Sequence, residues 1–397
     1  MMINLLEKIL LFLVSAIPLL FGGFFVAIMF ALSGSERFYP PFILICTGII
    51  ILFVFLLVFK LVKPAKLKVL ALAFLGIAIL SVGVFELNRS YHNRFAQLKE
   101  HEVNLEEYKP FSENTKAVAL EEQSTLKLDD DLPRLDGATA LYPLYSAFVQ
   151  AVYPEQDYSL YAMKEENAVD QGEVICTTTS TAYTRLINGE TDIIFVASPS
   201  AEQLADAQRE GVELKLTPIG KEAFVFFVNA KSSVDNLTTT QIQDIYSGNI
   251  SNWKEVGGNN QKIKAFQRRS NSGSQTMLQK IMAGKPLITP PKEDVVTGMG
   301  GIIAQTANYR NYKNAIGFSF LFFATEMVQN NQIKLLAIDD VAPNKDTIAN
   351  GAYPFAAEFY AVTANSDNPN VRRFIEWILS PQGQYLIEKT GYTPLNR

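Results

Sequence analysis

The segment that begins at Arg268 combines a cation, hydroxyl groups and a glycine in a spacing that suits a tetrahedral oxyanion. Arg268 supplies a permanently charged, planar set of donors, and the glycine of Ser272-Gly273-Ser274 lets the backbone come close to a ligand. The residues that follow carry apolar side chains at helical spacing, so the serines stand at a helix N-terminus, whose unpaired N–H groups favour anions. The alternative is an ordinary N-cap after a basic strand end.

Three further hydroxyl-rich segments stand where a strand-like run passes into a helix-like run. They are Asp136-Gly137-Ala138-Thr139-Ala140-Leu141-Tyr142-Pro143, Thr177-Thr178-Thr179-Ser180-Thr181 and Ala197-Ser198-Pro199-Ser200. Each one alone is compatible with a simple N-cap. In open α/β sheets, however, ligands bind beyond the carboxyl ends of the strands, where the next helices start. Four such turns, one of them with an arginine, therefore predict an anion-binding cleft.

The elements that must position these turns follow an α/β pattern from Leu135 onwards. Strand-like runs cover 174–178, 192–197, 223–229 and 359–363, and helix-like runs cover 143–152, 181–188, 240–247, 274–283, 302–309 and 371–379. Alternation at this spacing predicts parallel sheets covered by helices. The roughly 260 residues involved exceed what one compact core usually needs, so we expect two lobes.

Three stretches near the N-terminus, 9–34, 41–59 and 69–85, carry no charged side chain. Each is close to the ~17–25 residues that cross a bilayer core. A cleaved signal peptide, with Ala31-Leu32-Ser33 as the cleavage site, is the alternative for the first stretch. Its apolar core is too long and its basic flank too weak for that, and two more stretches follow. We therefore expect three transmembrane helices within residues 1–87.

The charges between these stretches indicate the orientation. The connection between the second and third stretches carries four lysines, Lys60, Lys63, Lys66 and Lys68, whereas the earlier connection holds Glu36 and Arg37. Lysine-rich short loops stay cytoplasmic. We expect a cytoplasmic N-terminus in the plasma (inner) membrane and a C-terminal domain in the periplasmic or extracellular space. The polar residues 88–132 are interpreted as a juxtamembrane linker, in which 113–131 holds the domain away from the bilayer.

Composition disfavours several functional classes. Cys46 lies in a predicted span and Cys176 in the exterior part, so no disulfide between them is expected. The two histidines, His92 and His101, lie just past the third span, which leaves little for a histidine triad or a zinc site. The sequence lacks phosphate-loop, dinucleotide and calcium-loop motifs, and its net charge of -5 disfavours nucleic acid. We expect no metal, no cofactor, no catalytic residue and no nucleic-acid partner.

A series of motifs runs through residues 135–397. They are Gly137-Ala138-Thr139 with Tyr142-Pro143, the turn at Ser180, Gly189-Glu190-Thr191-Asp192-Ile193-Ile194, Arg268-x-x-x-Ser272-Gly273-Ser274, Ala315-Ile316-Gly317-Phe318 and Ser380-Pro381-Gln382-Gly383-Gln384. In this order they resemble the phosphate-binding proteins of phosphate ABC transporters, which have a periplasmic-binding-protein fold of the type II class. The apolar N-terminal stretches have no counterpart in the usual family member, which is secreted or lipid-anchored.

The resemblance implies a domain over 133–397 with two lobes that close on a ligand. Lobe 1 would span about 134–220 and 353–397, and lobe 2 about 221–352, with the chain crossing near 217–222 and 352–359. The residues that would bind the oxyanion are Thr139, the Ala140 N–H, Ser180, Arg268, Ser272, Gly273 and Ser274.

Two positions depart from the family pattern. Ala138 stands where the first loop often has a serine, and Pro199 stands where the third turn has an aspartate. That aspartate accepts the proton of hydrogen phosphate and disfavours sulfate, which has no proton. Glu222 is a candidate substitute acceptor, and Glu358 a weaker one. The alternative for Glu222 is a surface carboxylate that pairs with Lys221 or with nothing.

The sequence thus predicts a membrane-anchored solute-binding protein for phosphate or a similar oxyanion, with ABC permease subunits as partners. The alternative is a sensor or scaffold in the membrane that uses lobe closure as a signal and has no transport role. An enzyme that acts on phosphate esters is disfavoured, because Ser180 and Ser272 have no histidine or metal to activate them.

Overall fold

The computed structural model describes residues 4–32, 38–94, 97–99, 104–158, 160, 164–165, 168–169, 173–289, 295–296, 308–327 and 331–395. The chain forms two compact units, Met1–Arg94 and Phe95–Arg397. The first unit consists of α1 (Leu5–Leu32), α2 (Tyr39–Val58) and α3 (Pro64–Asn93). Each of these helices is long and apolar enough to cross a membrane, with mean hydropathies of 2.6, 3.0 and 2.4 in their most apolar windows. α3 extends beyond its uncharged stretch at both ends, because charged residues continue a helix as readily as apolar ones do.

Close packing between α1 and α2 depends on a glycine. A Cβ atom added at Gly23 would overlap the Thr47 side chain, so a larger residue at this position would force that side chain to move. Edge-to-face packing of Phe12 on Phe55, with ring centroids 5.5 Å apart, joins the same two helices near the other end of α1.

The second unit is α/β. Its helices are α4 (Tyr142–Val152), α5 (Thr179–Ile187), α6 (Ala201–Arg209), α7 (Thr239–Ser247), α8 (Gly273–Ile281), α9 (Lys345–Ala349), α10 (Asn370–Ile378) and α11 (Pro381–Thr390). Its strands are β1 (Gln97–Lys99), β2 (Leu135–Gly137), β3 (Lys164–Glu165), β4 (Ala168–Val169), β5 (Ile193–Ala197), β6 (Lys215–Asn229), β7 (Asn236–Leu237), β8 (Lys264–Ala265), β9 (Gln267–Arg268), β10 (Val295–Val296), β11 (Asn308–Arg310), β12 (Ala315–Phe320), β13 (Ile333–Leu335), β14 (Ala337–Ile338), β15 (Ala356–Thr363) and β16 (Thr393–Pro394).

The main sheet has eight strands, ordered β2-β5-β15-β6-β12-β8, with β13 and β16 also paired to β6. Pairing is parallel between β2 and β5 and between β12 and β8. It is antiparallel where β15 meets β5 and β6, and where β6 meets β12. The sheet is therefore mixed rather than parallel throughout, because two strands cross between the halves of the unit.

Two hydrophobic cores lie on either side of these crossing strands. The first, which we call the core of lobe 1, includes Phe148, Phe195, Phe374, Trp377 and Leu386. The second, the core of lobe 2, includes Phe224, Phe226, Tyr246, Leu278 and Phe318. β6 passes from the first core at Ile219 to the second at Ala223, and β15 connects the second core back to the first. The exact lobe limits given above stay predictions.

Residues 104–128, which we call the strap, pack on lobe 1. Leu105 and Leu128 are buried in its core, and the Leu128 N–H donates to the Val152 carbonyl at 3.0 Å. The Gln382 side-chain oxygen accepts from the Thr125 N–H at 2.8 Å and from its hydroxyl at 2.9 Å. Most of the stretch 113–131 is therefore packed on the domain, and its role as a linker that holds the domain away from the bilayer stays a prediction. Its leucines are too sparse to give a hydropathy signal, yet each meets an apolar surface that the rest of the fold provides.

Some predicted elements differ from the observed ones. At 174–178 the structure has an isolated parallel bridge from Val174 to Leu135 instead of a strand, because the chain turns there to enter α5. Most of the predicted helix over 302–309 lies outside the described residues, and Asn308–Arg310 forms the strand β11. The helix-like runs given above do not include α11, nor α6, whose start the third turn marks. The polar composition of α6 explains why hydrophobic periodicity indicates it weakly.

Candidate oxyanion-binding site

The four hydroxyl-rich turns all precede helices in the structure. The first joins β2 to α4 through a short 3-10 turn, Thr139–Leu141, and the second runs from the Val174 bridge into α5. The third joins β5 to α6, and the fourth joins β9 to α8. Backbone N–H groups at the start of α5, α6 and α8 therefore have the geometry that suits an anion.

The three turns of lobe 1 contact one another. The Ala138 N–H donates to the Phe195 carbonyl at 2.9 Å, which joins the first turn to the strand that leads to the third. The Thr178 N–H donates to the Gly137 carbonyl at 3.2 Å, which joins the second turn to the first. The parallel pairing of β2 with β5 thus brings together segments that are distant in sequence.

The fourth turn, in lobe 2, meets the lobe 1 turns at Gly273. A Cβ atom added there would lie 3.2 Å from the Thr179 hydroxyl oxygen and 3.5 Å from the Ala197 side chain. Glycine therefore allows the N-terminus of α8 to approach lobe 1 more closely than another residue would.

Hydrogen bonds to uncharged groups hold the Arg268 segment in place. The Arg268 N–H donates to the Gln275 side-chain oxygen at 2.7 Å, and Gln275 in turn donates to Gln267 at 3.2 Å. The half-buried Arg268 guanidinium donates to the Ser274 hydroxyl at 3.0 Å. A cation, a hydroxyl and a helix N-terminus are thus combined at one point.

The hydroxyls of the predicted site differ in their surroundings. Ser272 is the N-cap of α8: its oxygen accepts from the Gln275 N–H at 3.2 Å and its hydroxyl donates to the Arg269 carbonyl at 3.0 Å. The N-cap interpretation of this serine is therefore confirmed, and its contact with an anion stays a prediction. Ser180, in the first turn of α5, is exposed. The Thr139 side chain lies near the buried Cys176 thiol, which donates to the Gly137 carbonyl at 3.7 Å.

A buried carboxylate that the sequence analysis did not single out lies between the first two turns. Asp136 is completely buried and accepts hydrogen bonds from the Gly137 N–H at 2.7 Å, the Thr177 N–H at 2.8 Å and the Thr177 hydroxyl at 2.6 Å. The Arg185 guanidinium lies 3.3 Å away. Burial raises the pKa of Asp136 to about 6, against the opposing effects of these hydrogen bonds and of Arg185. The available sequence signal was an acidic residue directly before the glycine of the first turn.

Direct hydrogen bonds join the two lobes beside the turns. Asn271, with a left-handed backbone (φ 66°), accepts from the Ser200 hydroxyl at 2.9 Å and donates to the Glu202 carboxylate at 2.6 Å. The Lys280 ammonium donates to the Ser198 hydroxyl. The lobes are in contact in this structure. Asn271 was not among the predicted site residues, because its partners Ser200 and Glu202 are distant in sequence.

The candidate substitute acceptors lie in different environments. Glu222 is buried, with 6% of its surface exposed, and accepts a hydrogen bond from the Phe322 N–H at 2.7 Å. Its interpretation as a surface carboxylate is therefore wrong, and burial raises its pKa to about 8. Its described contacts do not include Arg268, and its role as an acceptor for the ligand stays a prediction. Glu358 is exposed and accepts from the Tyr360 hydroxyl at 3.1 Å. Pro199 is buried directly before Ser200, the N-cap of α6.

Comparisons with known proteins agree with this architecture. A protein-family model described as a PBP superfamily domain matches residues 131–382. The phosphate-binding protein PstS of Borreliella burgdorferi is 27% identical over 215 residues, which is 52% of this chain and 75% of the relative. PstS of Bacillus subtilis is 27% identical over 193 residues, which is 47% of this chain and 61% of the relative.

Solved structures of similar proteins include an ABC-type phosphate transport receptor from Vibrio cholerae, with a TM-score of 0.45 and 20% identity over 66% of this chain and 99% of that one. PstS from Borrelia burgdorferi has a TM-score of 0.40 and 22% identity over 66% of this chain and 98% of that one. The family match confirms the periplasmic-binding-protein fold that the motifs predict. Because this match spans more than half of its residues, the chain belongs to the PBP superfamily.

Proposed function

We propose that the second unit binds phosphate or a similar tetrahedral oxyanion between its two lobes, and that the chain is a membrane-anchored substrate-binding protein for ABC-type phosphate uptake. The observation that carries this proposal is the Arg268 guanidinium beside Ser274 at the N-terminus of α8, which meets the lobe 1 turns at Gly273. The curated relatives are phosphate-binding proteins, which supports phosphate as the ligand.

In this proposal the anion receives donors from both lobes. Thr139, the Ala140 N–H and Ser180 contribute from lobe 1, and Arg268, Ser272, Gly273 and Ser274 contribute from lobe 2. A ligand that bonds both lobes stabilises the closed arrangement relative to an open one. Pro199 offers no carboxylate to accept a proton from hydrogen phosphate, so we expect weaker discrimination against sulfate unless Glu222 supplies the acceptor.

The N-terminal helices would anchor the domain in the plasma (inner) membrane, with a cytoplasmic N-terminus and the domain outside, close to ABC permease subunits. A tether of this kind raises the effective concentration of the binding protein near its membrane partner. We propose no catalytic role and no nucleic-acid partner.

The test is calorimetric titration of the full chain in detergent micelles with phosphate and with sulfate, for the native protein, Arg268→Ala and Arg269→Ala. Arg269 is the exposed neighbour and therefore a matched control. Arg268→Ala loses a charge-assisted hydrogen bond worth about 3 kcal/mol, so this variant should bind phosphate roughly 100-fold more weakly than the native chain. Arg269→Ala should bind phosphate like the native chain. Absence of phosphate binding by the native chain, or equal binding by both variants, contradicts the proposal.

A sensor without a transport role is the second candidate, and the chain after the first unit favours it. β1 pairs with β11, which lies within the predicted range of lobe 2, while the strap that follows packs on lobe 1. The membrane-proximal chain therefore contacts both halves of the domain, so lobe closure could reach it. Phosphate uptake by cells that carry Arg268→Ala distinguishes the two: a transport protein loses uptake, and a sensor changes gene expression while uptake persists.

A further inference from the structure

The two anion-binding turns of lobe 1 are separate in sequence and meet at one carboxylate. One Asp136 carboxylate oxygen accepts from the Gly137 N–H at 2.7 Å and from the Thr177 N–H at 2.8 Å. The other accepts from the Thr177 hydroxyl at 2.6 Å. The first donor begins the turn of Thr139 and Ala140, and the other two begin the turn of Ser180.

The same carboxylate also holds the helix that carries Ser180. The Arg185 Nε atom on α5 lies 3.3 Å from Asp136, and the Arg185 guanidinium donates to the Glu190 carboxylate at 3.0 Å. The Arg185 side chain is 9% exposed and that of Asp136 is 0% exposed, so water does not weaken this ion pair. Three segments, the end of β2, the entry to α5 and α5 itself, are thus attached to one charged group.

We propose that Asp136 is a positioning residue for the oxyanion site: it fixes the turn of Thr139 and Ala140 relative to the turn of Ser180, and it does not contact the ligand. This inference rests on the proposed function. Donors from different segments must be held within a few tenths of an ångström to bind one small anion together. A neutral side chain could not accept three hydrogen bonds and also pair with the guanidinium of Arg185.

Substitution of Asp136 itself would also remove one of the two carboxylates beside the buried Arg185 and thereby disturb the core, so the test uses Thr177. Thr177→Val removes the hydroxyl donor and keeps the shape, whereas Thr177→Ser keeps the donor. Titration of the full chain in detergent micelles with inorganic phosphate should show at least tenfold weaker binding for Thr177→Val and binding within about twofold of native for Thr177→Ser. Native-like binding by Thr177→Val, or an equal loss in both variants, overturns the inference.

Hydrogen exchange without ligand separates this inference from the proposed function. In Thr177→Val we expect the amide hydrogens of the peptides over 136–140 and 176–180 to exchange faster, with native rates in Thr177→Ser and unchanged rates in the α8 peptide. A native chain that binds no phosphate while this exchange pattern holds contradicts the proposed function and leaves Asp136 as the group that positions the turns. Unchanged exchange in Thr177→Val overturns the positioning role, whatever the chain binds.

Discussion

Two buried carboxyl groups, Asp136 at the end of β2 and Glu222 in β6, show how surroundings decide the state of an acid. Asp136 receives three hydrogen bonds and lies beside Arg185, whereas the described hydrogen bond to Glu222 is that from the Phe322 N–H. Burial raises the pKa of Asp136 to about 6 and that of Glu222 to about 8. At pH ~7 Asp136 is therefore ionised and Glu222 protonated, since donors and a cation favour the charged form.

The two groups also make stability depend on pH in different ranges. Both pKa values exceed those of the unfolded chain, so each group contributes most to the free energy of unfolding at low pH, and this contribution is lost as the pH rises through the folded-state pKa. The loss for Asp136 falls between pH 3.8 and about 6, and that for Glu222 between pH 4.5 and about 8. Of these two groups, Glu222 accounts for the change in the free energy of unfolding between about pH 6 and pH 8.

Among the substitutions considered, replacement of Arg185, the cation beside Asp136, should change the free energy of unfolding most. Arg185→Met leaves an ionised carboxylate in the core, and we expect a loss of about 3–5 kcal/mol in the free energy of unfolding near pH 8. Near pH 5 Asp136 is protonated and the loss should be much smaller. Urea denaturation of the full chain in detergent micelles, followed by tryptophan fluorescence, measures both values.

Arg209→Met is the control for this experiment, because Arg209 is exposed at the end of α6 and should change stability little at either pH. An equal loss for Arg185→Met at both pH values would show that the ionisation of Asp136 is not responsible.

Glu222→Gln should change the free energy of unfolding less than Arg185→Met does, and should raise it. The amide oxygen can still accept from the Phe322 N–H, and the variant no longer has to bury a charge when the pH rises. We expect it to be more stable than the native chain by on the order of 3 kcal/mol near pH 9 and equal to it near pH 5. The same denaturation series measures this, with the exposed Glu358→Gln as control. A native-like pH dependence in Glu222→Gln would assign the change to another group.

Thr178→Gly should have the smallest effect, and it probes strain in the Asp136 region. Thr178 has a φ of 101°, in the region that glycine adopts and a β-branched residue avoids. Its neighbour Thr177 is held by Asp136, which can maintain such strain. We expect Thr178→Gly to raise the free energy of unfolding by about 1 kcal/mol, and Thr178→Ala to give no such gain. Destabilisation by glycine would show that this backbone is unstrained.

Local signals account for what the sequence predicts well. Hydroxyl and glycine residues at the starts of α5 and α8 identify helix N-termini, and β5 lies within its predicted run. These features depend on neighbours in sequence, which is why periodicity and capping rules find them.

Tertiary contacts account for what the sequence does not predict. Thr177 reaches Asp136 across 41 positions through strand pairing, which no local pattern shows. Glu222 follows Lys221, and that neighbour suggested a surface pair, but successive residues of a strand point to opposite faces. Glu222 therefore lies in the interior while Lys221 is half-buried on the other face. The two crossing strands likewise made the sheet mixed, because strand direction depends on topology and not on composition.

The attachment of the strap to lobe 1 determines where a soluble fragment can begin. A fragment cut at residue 133, the predicted start of the domain, would lose Leu105 and Leu128 and uncover the apolar surface beneath them. It would also leave the Gln382 side chain without its bonds to Thr125. Newly exposed apolar surface of this kind promotes aggregation. A monodisperse fragment therefore has to include the strap, and keeping β1 on its partner β11 places the start near residue 95, well before β2.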